Sequence, residues 1–167
     1  MKAIVAVDQN WGIGCQGKLL ARIPADMRYF KQLTLGQTVI MGRETFLSLP
    51  GAEPLKDRIN IVLCEDRQFG DKAIIICSSL DELFNKIKKY PSGEVFVIGG
   101  EMVYTELLPY CTEAYVTRIE KTYAADKYFP NLDDDSRWKL VRAGEPQSYH
   151  ELEYRFATYA NREVKSY

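Results

Sequence analysis

The chain has 167 residues, enough for one domain with a substantial core, and 46% of them are hydrophobic. Its 22 Lys and Arg against 23 Asp and Glu leave a formal charge of −1, which excludes a whole-protein field for nucleic acid or an anionic membrane. Cys15, Cys64, Cys77 and Cys111 form no C-x-x-C pair, no apolar run is long enough to span a membrane, and the short N-terminal apolar run stops at Asp8, so the expectation is a soluble, cytoplasmic protein with free thiols and no metal site.

Residues 2–7, rich in Val, Ile and Ala, predict a buried strand. Residues 8–18 carry Gly12, Gly14 and Gly17 without periodicity and predict a loop. Pro24 suits the first position of a helix, and Ile23, Met27, Phe30 and Leu33 recur at helical spacing as an apolar stripe that ends near Gly36. Asp26 precedes Phe30 by four residues and shares its face. An acid in a first turn is by default a surface stabiliser of the helix dipole. Beside an apolar surface it holds its proton more tightly and becomes a plausible proton donor near neutral pH. Residues 38–41 predict a second strand ended by Gly42, followed by a short helix over 43–49 and a turn region over 50–56. Residues 58–63 and 73–77 predict two more strands. Ser79-Leu80-Asp81-Glu82 has the form of a capping box, with Leu83, Ile87 and Tyr90 as the apolar side of its helix. A strand over 94–98 ends at Gly99-Gly100, and a helix over 101–108 stops at Pro109. A strand over 114–119 follows, and 138–141 with 154–159 predict an antiparallel pair.

Strands alternating with helices predict an α/β fold. It is expected to be one domain over 1–167, with a mainly parallel central sheet, helices on both faces and the antiparallel pair at one edge. The only histidine, His150, lies in a polar stretch and reads as a surface residue in a turn, so acid–base chemistry falls to a carboxyl, a tyrosine, water or a cofactor. Asp133-Asp134-Asp135 reads as a solvated loop. Ligands of open α/β sheets bind beyond the carboxyl ends of the strands. Two strand–glycine–helix junctions belong there, Val39-Ile40-Met41-Gly42-Arg43-Glu44-Thr45 and Val95-Phe96-Val97-Ile98-Gly99-Gly100-Glu101-Met102-Val103-Tyr104. Free N–H groups and glycines suit phosphate, and two junctions fit a ligand with several phosphates.

These junctions, with Asn10-Trp11-Gly12-Ile13-Gly14, Ile23-Pro24-Ala25-Asp26, Phe30 and Tyr104, stand in the order seen in dihydrofolate reductases. The chain resembles the bacterial type of that family from Ala3 to the C-terminal strands. The resemblance implies NADPH-dependent reduction of 7,8-dihydrofolate to tetrahydrofolate, with hydride to C6 and a proton to N5. It implies a catalytic Asp26 supported by Thr117. It implies a substrate site of Ile4, Val5, Ala6, Leu19, Phe30, Leu49, Leu55, Arg58, Ile98 and Tyr104, in which Ile4 acts through its backbone oxygen and Arg58 binds the glutamate carboxylate. It further implies a cofactor site with Ala6, Ile13 and Leu19 at the nicotinamide, Arg43, Glu44 and Thr45 on the adenosine phosphate side, and Gly99 and Gly100, joined by a cis bond, at the pyrophosphate. Gly14, Lys18, Gly42, Leu63, Cys64, Glu65, Ile98, Glu101, Met102, Val103 and Tyr104 complete the implied cofactor-binding set. A monomer that antifolates inhibit is expected.

The chain departs from the family pattern in three places. Leu20-Ala21 replaces the usual Pro-Trp, which implies a roomier or differently hydrated pocket with Trp11 as the available compensation. Glu101-Met102 replaces a glycine and a basic residue. Cys64-Glu65-Asp66-Arg67 stands where relatives present hydroxyl or basic groups to the 2′-phosphate, so Arg43 is the main charge match for NADPH over NADH. The alternatives are the pyrimidine reductase of riboflavin synthesis and a nucleotide-binding module without activity.

Overall fold

The strands and helices follow the apolar periodicity closely. The computed structural model describes residues 1–68 and 73–167. Along the chain lie β1 (Lys2–Val7), β2 (Gly12–Cys15), β3 (Lys18–Leu19), α1 (Pro24–Thr34), β4 (Thr38–Gly42), α2 (Arg43–Ser48), β5 (Ile59–Leu63) and β6 (Ile75–Cys77). Then come α3 (Leu80–Ile87), β7 (Val95–Gly99), α4 (Glu101–Leu107), β8 (Glu113–Ile119), β9 (Lys127–Tyr128), β10 (Trp138–Ala143), β11 (Gln147–Tyr149) and β12 (Leu152–Asn161). The main sheet has the order β10-β12-β8-β1-β7-β4-β5-β6. From β8 to β6 all neighbours are parallel, whereas β12 is antiparallel to β8, β10 and β11.

Successive strand residues face opposite sides, so the sheet carries two cores. Ala3, Val5, Val7, Ile40, Ile61, Val95 and Val97 face one side, beneath Leu83 and Ile87 of α3 and Val103 and Leu107 of α4. Ile4, Val39, Met41, Val62 and Phe96 face the other, against Phe46 of α2 and Phe30 and Leu33 of α1. Each fully buried aliphatic side chain contributes about 1.5–3 kcal/mol, so the sheet is a rigid base for what its strand ends carry.

Four features depart from expectation. Residues 8–18 are not a plain loop. β2 and β3 form a hairpin there, and β2 also pairs with the distant β9 to make a second sheet, β3-β2-β9. Paired glycines and exposed polar residues carry no alternation to reveal this. Met27 leaves the expected stripe and is 43% exposed. In α3 the Ser79 hydroxyl accepts the Glu82 N–H at 3.1 Å, but the Glu82 carboxylate reaches Ser78 instead of completing the box. Asp133 is more than a solvated residue, because it accepts from the Tyr159 hydroxyl at 2.8 Å and from Arg118 at 3.0 Å.

Candidate active site

Parallel register brings the strand ends into one row. Gly42 is level with Leu63, Met41 with Gly99, and Ala6 with Thr117. The two glycine junctions are in contact, since a methyl group built on Gly42 would stand 4.0 Å from the Gly100 nitrogen and 3.2 Å from Val103 Cγ2. Gly99 has φ +122° and its peptide bond to Gly100 is cis. A side chain there would lie 3.2 Å from the Tyr104 ring, so only glycine fits and the backbone stays open to a ligand. Tyr104 is buried behind it, and its hydroxyl donates to the Ile4 carbonyl at 2.7 Å.

Pro24 starts α1 over β8, and Asp26 then projects from the first turn toward Thr117. The Thr117 hydroxyl donates to Asp26 Oδ1 at 2.6 Å. Burial pushes the Asp26 carboxyl above its ordinary value, opposed by the Thr117 hydrogen bond. One turn along α1, Phe30 joins Ile4, Leu49, Leu55 and Ile98 in a single apolar cluster. A further turn on, Thr34 Oγ1 donates to the Phe30 carbonyl at 2.8 Å and accepts from Arg58 Nε at 3.3 Å. Arg58 Nη1 also donates to the Lys56 carbonyl at 2.8 Å, and burial lowers the guanidinium from its ordinary value against the attraction of Asp57. At 1.5 Å per residue, Asp26 and Thr34 stand about 12 Å apart along α1. The site thus sets a carboxyl at one end of a row of apolar side chains and a guanidinium at the other.

A family profile described as dihydrofolate reductase matches residues 1–161. The chain belongs to the dihydrofolate reductase family. It is 37% identical to the dihydrofolate reductase of Bacillus subtilis, over 93% of this chain and 91% of that protein. The enzyme of Mycobacterium leprae is 39% identical over 88% and 89% of the two chains. A solved dihydrofolate reductase from Enterococcus faecalis, complexed with NADP(H) and RAB-propyl, superposes with a TM-score of 0.84 at 34% identity, covering 96% and 95% of the two chains. The chain is accordingly an oxidoreductase.

Not every residue expected in a dihydrofolate reductase site converges. Asp26, Thr117, Phe30, Ile4, Leu49, Leu55 and Ile98 do, with Arg58 tied to Thr34 at the far end. Val5 faces the opposite core, and the Val103 side chain is buried against Gly42, which leaves those two only their backbones to offer. Ile13 packs partly on that same core, while Lys18 and Leu19 are exposed and stand apart from the cluster. Arg43, Glu44 and Glu65 are exposed, and Thr45 and Cys64 half-buried, around the ends of β4 and β5. Met102 is 73% exposed, and Glu101 accepts the Tyr128 N–H at 2.9 Å. Trp11 does not replace the missing indole. It stacks on Phe129 at 6.1 Å, meets Tyr159 edge-on and lies 4.5 Å beneath the Arg118 guanidinium, whereas Ala21 packs with Ile23 and Tyr154.

Two further acids were not singled out by their sequence surroundings. Asp8 is buried, and its carboxylate accepts the N–H groups of Asn10, Gly12 and Tyr123 at 2.8–2.9 Å. Asp126 accepts the Gln16 N–H at 2.9 Å and donates its own N–H to the Gly14 carbonyl at 3.0 Å. Together they fasten the glycine segment to the chain that follows β8. Asp8-x-Asn10-x-Gly12, an acid two and four residues before backbone donors, is the signal that points to the first. For Asp126 there is no local signal.

Proposed function

We propose that the chain, acting as one unit over 1–167, reduces 7,8-dihydrofolate to 5,6,7,8-tetrahydrofolate with NADPH, and that Asp26 and Thr117 are its catalytic residues. The observation that carries this is the pairing of half-buried Asp26 with buried Thr117 at one end of a row of apolar side chains whose other end holds Arg58. A flat heteroaromatic ring fits the apolar walls, with the carboxyl accepting its amino and ring N–H groups. The span along α1 allows a tail carboxylate to reach Arg58. The cradle at Gly99 and Gly100, which a side chain would fill, fits a pyrophosphate.

NADPH, when bound, supplies the hydride. The remaining work belongs to the protein. Phe30, Leu49, Leu55 and Ile98 orient the pterin and exclude water, and the Ile4 carbonyl takes a second ring donor. Burial keeps a proton available on Asp26 for delivery toward N5, directly or through water, while Thr117 keeps the ionised form accessible for the next cycle. Antifolates that mimic the protonated pterin would pair with the same carboxyl. We take the protein to be a cytoplasmic monomer.

The test is the fall in nicotinamide absorbance when purified protein meets dihydrofolate and NADPH. Turnover that disappears in Asp26→Asn, together with a raised KM for dihydrofolate in Arg58→Ala, is expected. Cofactor binding without dihydrofolate turnover refutes the proposal.

A further inference from the structure

The adenosine side of the cofactor site is more acidic than a phosphate-binding surface calls for. The reacting ring of a dinucleotide has to lie near Asp26 and Thr117, beside β1 and β8. With its pyrophosphate along Gly99–Gly100 at the end of β7, its other half runs the opposite way across the sheet, over the ends of β4 and β5. Gly42 is level with Leu63 there, so Arg43-Glu44 and Cys64-Glu65-Asp66 leave from neighbouring strand ends.

The cations of this region among the described residues, Arg43 and Arg67, both face acids. Arg43 Nε lies 4.0 Å from Asp66 Oδ2. Arg67 donates to the two Glu82 oxygens at 3.0 and 3.2 Å and to Ser78 Oγ at 3.1 Å, which turns it toward α3. Glu82 is itself fixed by the Ser78 N–H and hydroxyl, each at 2.8 Å, and these donors with Arg67 hold its carboxyl down at about 2. Asp66 is anchored by the Gln68 N–H at 2.9 Å. Glu44 and Glu65 are exposed. Arg43 and Arg67 thus stand among Glu44, Glu65, Asp66 and Glu82, a surplus of carboxylates over guanidiniums. Such a surface opposes a 2′-phosphate, whereas an acid at a strand end beside a dinucleotide suits a ribose 2′-hydroxyl as hydrogen-bond donor.

We propose that Glu65 is a specificity-determining residue of the cofactor site, accepting from a ribose 2′-hydroxyl and opposing a 2′-phosphate, so that NADH binds within about tenfold of NADPH. This rests on the reading of the strand ends as the dinucleotide site of a dihydrofolate reductase. The preference for NADPH that remains comes from Arg43, weakened by Asp66.

Calorimetric titration of the whole protein with NADPH and with NADH, in the absence of folate, tests it on binding alone. The wild type should show a ratio of dissociation constants below about tenfold. Glu65→Gln should weaken NADH and tighten NADPH, and Glu65→Arg should extend the change, moving the ratio by about tenfold or more. Because Glu65 is exposed, both variants should keep the wild-type circular dichroism. A wild-type preference for NADPH above about tenfold, or a ratio that both variants leave unchanged, overturns the role of Glu65 and leaves the reductase assignment standing. Folded protein that binds neither dinucleotide overturns both.

Discussion

Replacing Thr117 by valine keeps the shape of the side chain and deletes the hydroxyl that donates to Asp26 Oδ1 at 2.6 Å. That bond favours the ionised carboxyl, against the burial that disfavours it. A hydrogen bond to a charged group contributes about 1.5–3 kcal/mol, and about 1.4 kcal/mol is a factor of ten in a protonation equilibrium. Its loss should therefore raise the proton affinity of Asp26 by roughly ten- to a hundredfold, less whatever a replacing water restores. The direction of the kinetic effect follows. If turnover requires a proton from Asp26, kcat/KM falls as pH rises past the pKa of that carboxyl, and the variant keeps its rate to higher pH than the wild type. Steady-state kcat and KM for dihydrofolate, measured across pH at constant ionic strength, give both profiles. An alkaline limb that stays in place in a variant with wild-type circular dichroism refutes the claim that Thr117 sets the protonation of Asp26.

Asp26→Asn should lower turnover at neutral pH by about 10²–10⁴-fold while keeping the fold. The folded pKa of Asp26 is raised above its unfolded value. Its contribution to stability is therefore complete below the unfolded pKa and is lost as pH rises through the folded pKa. The Tm of Asp26→Asn relative to wild type should rise as pH is raised from below the ordinary carboxyl value through the folded pKa, and a pH-independent difference contradicts the burial of a charge there. Asp8→Ala strands three backbone donors and should cost about 3 kcal/mol in urea unfolding, whereas a cost under about 1 kcal/mol shows that water satisfies them. Ala21→Trp should change antifolate inhibition constants by about three- to tenfold with little change in Tm. Unchanged constants remove position 21 from the pocket.

The parallel part of the sheet was legible because its strands are buried on both faces and read as short apolar runs, as Val39-Ile40-Met41 and Val95-Phe96-Val97 do. Asp26 was legible through Pro24 and Phe30, whose spacing fixes a helix start and a face. Its partner Thr117 came from the family likeness, since nothing local joins two residues 91 positions apart. The pairing of β2 with β9 was hidden because main-chain groups make it and their side chains add no pattern. The ion pairs of Arg43 and Arg67 were equally hidden. Sequence shows charges of both signs over 64–67, and only the fold reveals that Glu82, from helix α3, claims Arg67.

The β3-β2-β9 sheet has a consequence for how this enzyme can vary. Its joints are the backbone pairs Gly14–Leu19, Cys15–Lys18, Gly12–Tyr128 and Gly14–Lys127, and Lys18, Leu19, Lys127 and Tyr128 are all exposed. A flap fastened through its main chain keeps its shape whatever those side chains become. The glycines are the exceptions: a methyl group at Gly12 would come within 2.7 Å of Ala125 Cβ and 3.0 Å of the Asp8 carboxylate, one at Gly14 within 3.1 Å of the Lys18 carbonyl oxygen, and Gly17 has φ +75°. A saturation library over this segment should therefore look permissive at Lys18, Leu19, Lys127 and Tyr128 and intolerant at Gly12, Gly14 and Gly17. These exposed positions can thus drift in sequence without altering the frame that positions the reacting groups.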